Sequence, residues 1–68
     1  MLKKKEVIFK AVHRNPKAVL FWFIDNKYIT STKDFHEISV KPEPGAHMLT
    51  VTDNDGNSVQ RKFKITQN

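Results

Sequence analysis

Cysteine is absent from the 68-residue chain, so neither a disulfide framework nor a thiolate metal site can be built, and the redox compartment is not written in the sequence. Glycine occurs twice, at Gly45 and Gly56, too far apart for the phosphate-cradling loops of nucleotide-binding folds. No apolar run approaches the roughly 18 residues of a membrane span. Met1-Leu2-Lys3-Lys4-Lys5 leads into apolar–polar alternation, not into the unbroken apolar stretch of a secretory leader. No segment sustains helical periodicity, and there is no Gly-x-Ser-x-Gly elbow. Ser31, Ser39 and Ser58 sit in strand or turn contexts, which sets serine-hydrolase chemistry aside.

What is present is the composition of one small globular domain, residues 1–68, with residues 1–5 expected as a flexible lead. Ordering a chain of this size costs on the order of 100 kcal/mol, so most apolar residues must enter a single thin core. Twelve Lys and Arg against seven Asp and Glu give a net charge of +5, which favours anionic neighbours without choosing among nucleic acid, lipid and wall polymer.

Strand signals follow one another at short intervals. Segment 6–14 places Val7, Phe9 and Ala11 on one face and ends at Asn15-Pro16, because proline cannot donate to a ladder. Ala18-Val19-Leu20-Phe21-Trp22-Phe23-Ile24, the most apolar run, reads as the central strand, covered on both faces, with Trp22 at the centre of the core. Asp25-Asn26 supplies turn chemistry into a hairpin with Tyr28–Thr32. Phe35–Val40 alternates as a half-buried strand and stops at Pro42-Glu43-Pro44-Gly45. His47–Thr52 and Val59–Ile65 flank an Asp-Gly hairpin signal. Leu49, Val51, Phe63 and Ile65 then point inward, and Thr50, Thr52, Lys62 and Lys64 outward. The sum is an all-β chain, expected as a small antiparallel β-sandwich of about six to seven strands.

Few residues point to site chemistry. His13, His36 and His47 have no close paired spacing, which reads as surface or rim histidines, with no metal and no cofactor expected. Asp53-Asn54-Asp55-Gly56 suggests a calcium loop only until Gly56 is aligned with the loop glycine. Val51 then falls at the first ligand position and Lys62 at the last, so a tight hairpin is the better reading. Lysines and arginines interleaved with aromatics suggest nucleic-acid binding, but on strands Lys10, Lys62 and Lys64 alternate with inward residues and read equally as a solvated face or edge protection. These three lysines are the solvent-facing positions nominated for contact with an anionic surface. Phe21, Trp22 and Phe23 cannot all face one way, so one side of that strand is either covered or offered as a sugar-stacking or partner platform.

Phe21-Trp22-Phe23-Ile24-Asp25-Asn26-Lys27-Tyr28, then Pro44-Gly45-Ala46-His47-Met48-Leu49-Thr50-Val51-Thr52-Asp53-Asn54-Asp55-Gly56-Asn57, then Phe63-Lys64-Ile65, resembles the C-terminal domain of bifunctional penicillin-binding proteins of the 1C type. The resemblance runs from about Val7 to Ile65, in order. It departs at Asn26, where the family carries glycine, and across Thr32–Pro42, where an aromatic before the Pro-Gly turn is missing. It implies an immunoglobulin-like sandwich, the excised C-terminal part of a longer, membrane-anchored peptidoglycan synthase, placed in the periplasm or otherwise outside the cytoplasm. The transpeptidase motif Ser-x-x-Lys is absent: Asp34, Pro42 and Arg61 stand three residues after Ser31, Ser39 and Ser58. The expected role is therefore a non-catalytic accessory or interaction module of cell-wall synthesis. Expected partners are another protein, the synthase's own catalytic domains, or peptidoglycan. An adhesion or carbohydrate-binding sandwich is the alternative, and a basic nucleic-acid-binding domain the second alternative.

Overall fold

A computed structural model describes residues 5–66; of the expected flexible lead 1–5, residues 1–4 lie outside the described residues. Six strands succeed one another: β1 (Val7–Lys10), β2 (Val19–Ile24), β3 (Lys27–Lys33), β4 (Glu37–Val40), β5 (Gly45–Asp53) and β6 (Ser58–Ile65). They form two antiparallel sheets, one of four strands ordered β3-β2-β5-β6 and one of two, β1-β4. The two-stranded sheet covers one face of the larger sheet, giving the small sandwich that the alternation implied, of the immunoglobulin-like kind that the resemblance implied.

The apolar run becomes β2, paired on both sides, to β3 and to β5. Leu20, Trp22 and Ile24 point to the inner face and join Leu49 and Ile38 in the core, with Phe9, Ala11, Val40, Val51 and Phe63 packed around them. Trp22 is the largest fully buried side chain, only 1% exposed. Its indole N–H would be costly without a partner. It donates to Thr32 Oγ1 at 2.9 Å, and the same hydroxyl lies 2.8 Å from His36 Nδ1, so one threonine links the core to the β3–β4 loop.

Turn chemistry sets the register. Asp25 and Asn26 both adopt positive φ, 54° and 68°, and Ile24 pairs with Lys27 across them, the two-residue turn whose twist suits a hairpin. Asn26 thus holds the geometry its family position gives to glycine. A bulge opposite Trp22 and Phe23 leaves Ile29 as the extra residue of β3.

Four expectations are corrected. The first strand spans only Val7–Lys10, because the chain beyond Ala11 bends so that His13 reaches Asp53. Phe35 is not part of β4 but 71% exposed: Asp34, at φ 70°, makes a tight turn in which the Phe35 N–H donates to Lys33 O at 2.8 Å. The last hairpin forms where its Asp-Gly signal lies, but Asp55 keeps negative φ, so the signal does not supply two positive φ angles. Asp53 O accepts from the Gly56 N–H, Asn57 O accepts from the Asp53 N–H, and only Gly56 takes positive φ (92°), which describes a three-residue loop closed by a glycine bulge. Finally, β2 is not covered on both faces. Val19, Phe21 and Phe23 are half-buried on the outer face, where Phe23 meets the exposed Tyr28 edge-on with centroids 5.7 Å apart.

Thr50 pairs with Phe23 on that outer face, and its buried hydroxyl has no hydrogen-bond partner among the described residues. Two stability outcomes follow from this packing. Trp22→Ala removes the centre of a thin core, a loss of about 3–5 kcal/mol, and should abolish the cooperative thermal transition followed by circular dichroism. Thr50→Val deletes an unpaired polar group without changing shape and should leave the melting temperature equal or higher.

Candidate functional site

The loops at the two ends of the sandwich are each held by a histidine and a carboxylate distant in sequence. At one end Asp53, 8% exposed, closes β5. Its Oδ1 accepts the N–H groups of Asp55 and Asn57 at 2.9 and 2.8 Å, which fixes the hairpin loop. Its Oδ2 lies 2.9 Å from Asn57 Nδ2 and 2.9 Å from His13 Nε2. The Asn15 N–H donates to His13 Nδ1 at 2.9 Å, so that nitrogen carries no proton and Nε2 is the donor to Asp53. The bond from His13, then that from the Asn57 side chain, hold the Asp53 carboxyl well below the ordinary carboxylate range. Asn54 completes this end by accepting the Val19 N–H. With four hydrogen bonds on one carboxylate, the Asp-Asn-Asp-Gly segment is engaged as a turn, as its spacing argued.

At the other end Asp25, on the β2–β3 turn, lies 2.6 Å from His47 Nδ1 and accepts the Met48 N–H at 2.9 Å. His47 Nε2 lies 2.6 Å from the Glu43 carbonyl, so both ring nitrogens face acceptors and the ring is suited to the doubly protonated form. The bond to Asp25, reinforced by that to Glu43, raises the His47 pKa, and the bond from His47 lowers that of Asp25. The ring also stacks on Phe63, centroids 5.3 Å apart. The His-x-Leu part of the sequence motif is therefore a loop clamp. Thr32 with His36 is a hydroxyl–imidazole contact, but the hydroxyl already accepts from the Trp22 indole, and no carboxylate orients the ring among the described residues. The pair lacks the third member that a nucleophile needs.

The three nominated lysines do not form one patch. Lys62 and Lys64 lie together on the outer face of the edge strand β6, opposite Met48 and Ala46. Lys10 lies on the other sheet, where it faces Glu37 across the β1–β4 pair with 3.4 Å between charged atoms. A residue the sequence reading left unassigned is Arg61. It pairs in register with Leu49 and so belongs to the inner face, yet it is exposed and makes no ion pair among the described residues. The signal was available in Val59-Arg61-Phe63-Ile65, an inward-facing series with a charge in it.

Arg61 is exposed because the sandwich is open there. A cleft of about 690 Å³ runs between segment 9–13 and β6, with Leu20, Val51 and Phe63 in its floor and Asp53 and Asn57 at one end. Among the described residues no group of three or more histidines or carboxylates could hold a metal ion.

Fold and site together define an immunoglobulin-like module whose polar side chains fasten loops. The model of the Penicillin-Binding Protein C-terminus Family matches residues 1–64, nearly the whole chain. The chain belongs to that family. No curated protein and no solved structure matches it.

The histidine clamps generate a pH dependence with a definite sign. His47, raised on folding, contributes stability that is complete below its unfolded value of about 6.5 and declines as pH rises through the folded value. Asp53, lowered on folding, contributes stability that is complete above about 4 and declines as pH falls. Melting temperature measured against pH should show both flanks, and His47→Gln should flatten the alkaline one while leaving the Asp53 part of the acid flank in place.

Proposed function

We propose that this domain is a non-catalytic accessory module of a peptidoglycan synthase, working outside the cytoplasm by contact rather than by chemistry. The observation that carries the reading is the family match across residues 1–64, which attaches the chain to the C-terminus of penicillin-binding proteins. Two features support the contact role. The Ser-x-x-Lys motif that acyl transfer needs in transpeptidases is missing from the sequence. The imidazoles and carboxylates that would otherwise be available for acid–base work are bonded within loops: His13 to Asp53, and His47 to Asp25.

The outer face of the four-stranded sheet offers half-buried Phe21 and Phe23 beside the exposed Tyr28, with Lys62 and Lys64 on the same face of its edge strand. Aromatic rings flanked by cations suit either a wall glycan bearing anionic peptides or a protein surface. No helix among the described residues is long and apolar enough to cross a membrane. In this reading membrane attachment belongs to the rest of the synthase.

Co-sedimentation with purified wall sacculi, and pulldown with the catalytic domains of a peptidoglycan synthase, test the proposal. Retention by at least one of the two is expected, reduced by Tyr28→Ala. Absence of retention by both would contradict the contact role, and tight salt-sensitive binding of a short oligonucleotide instead would move the domain to the nucleic-acid class.

A further inference from the structure

Strand β1 is paired on one edge only, and the other edge opens on the cleft. The register Val7↔Val40 to Lys10↔Glu37 continues with the Ala11 N–H donating to His36 O at 3.0 Å. Ala11, Phe9 and Val7 are thus the residues that exchange hydrogen bonds with β4. In an antiparallel pair the intervening residues turn their N–H and C=O groups the opposite way. Ile8 and Lys10, and Val12 beyond the strand, therefore direct theirs to the open edge. An immunoglobulin-like sandwich ordinarily builds this sheet from more than two strands. Here none of the described segments takes the place beside β1.

The surroundings of that edge are those of a place for a strand. β1 and β6 belong to opposite sheets and meet through Phe9 and Phe63, with ring centroids 5.1 Å apart. The floor between them is apolar, with Leu20, Val51 and Phe63, while Val12 at its rim is fully exposed and Val59 is 58% exposed. Asp53 is saturated by its four hydrogen bonds, whereas Arg61, on the inner face of β6, lines the cleft with no ion pair among the described residues.

We propose that the cleft between β1 and β6 accepts an extended polypeptide segment of a partner protein, added as a strand to the free edge of β1. Its inward side chains are apolar and its outward ones acidic where they pass Arg61. Main-chain bonds to Ile8 and Lys10 supply the affinity, and the apolar floor with the Arg61 cation selects the sequence. A second copy of the chain is a poor occupant, because each copy carries a net charge of +5 and β6 presents Arg61, Lys62 and Lys64 at its own edge. The inference stands on the strand geometry and does not depend on a role in the cell wall.

The test is a solution NMR titration of the labelled domain with a short, end-capped synthetic peptide alternating valine and glutamate, against the same peptide with lysine in place of glutamate. The acidic peptide should shift the Ile8, Lys10 and Val12 amides, and Arg61→Glu should weaken its binding roughly tenfold. Lys10→Pro removes one edge donor without touching a main-chain bond to β4, at the loss of the exposed Glu37 ion pair, and should weaken binding while the domain still melts cooperatively. If that variant fails to fold, the exposed Arg61→Glu decides alone. Equal response to the lysine peptide, shifts confined to Phe23 and Tyr28 on the outer face, or no response would overturn the proposal. So would a concentration-dependent dimer that protects the Ile8 and Lys10 amides without peptide, which would give the edge to a second copy.

Discussion

One indole has to be hidden between two sheets, one of which has only two strands, and the rest of this small structure follows from how that is done. Trp22 needs apolar cover above and beside it and a partner for its N–H. Ile38 and Val40 of β4 with Phe9 of β1 provide the cover, and Thr32 provides the partner. Because that hydroxyl also meets His36, the tight turn at Asp34, between Thr32 and His36, is tied to Trp22. A domain with so few fully buried side chains has no second core to fall back on, so packing and hydrogen bonding at this one place are coupled.

What the small core does not hold, the loop clamps do. His13 with Asp53 and His47 with Asp25 bridge separations of 40 and 22 residues and fasten opposite ends of the sandwich. Asp53 also caps backbone N–H groups of its own turn, and Asp25 accepts the Met48 N–H of β5, so each carboxylate fixes a loop that its histidine anchors. Polar residues in a module of this size thereby take on part of the task that a larger protein gives to apolar burial. The same engagement leaves these groups with little left to offer a substrate, consistent with a domain that acts through its surfaces.

Much of this was legible in the residues. The run from Ala18 to Ile24, bounded by Pro16 and Asp25-Asn26, could only be an interior strand, and the alternation of β5 and β6 set the facing of Leu49, Phe63 and Ile65. Local alternation does not say where pairing stops, so it extends Phe35 and the residues after Lys10 into strands that the local turn at Asp34 and the long-range contact of His13 cut short. The Asp55-Gly56 signal named the hairpin but not its loop length, which the Asp53 carboxylate decides by accepting from Asp55 and Asn57. The histidine–carboxylate clamps join residues that no short spacing relates. The open cleft depends on a strand position left empty, which a pattern of strands that are present does not reveal.

Amide hydrogen exchange along β1 tests the account most directly, since both the thin sandwich and its open edge meet in that strand. Val7, Phe9 and Ala11, bonded to β4, should exchange slowly, while the intervening Ile8 and Lys10 exchange fast in the isolated domain; the Phe21–Phe23 and Thr50–Thr52 amides should be slowest of all. Uniform slow exchange through Val7–Ala11 would show the edge already occupied, and uniform fast exchange would show that β1 does not cover Trp22 at all.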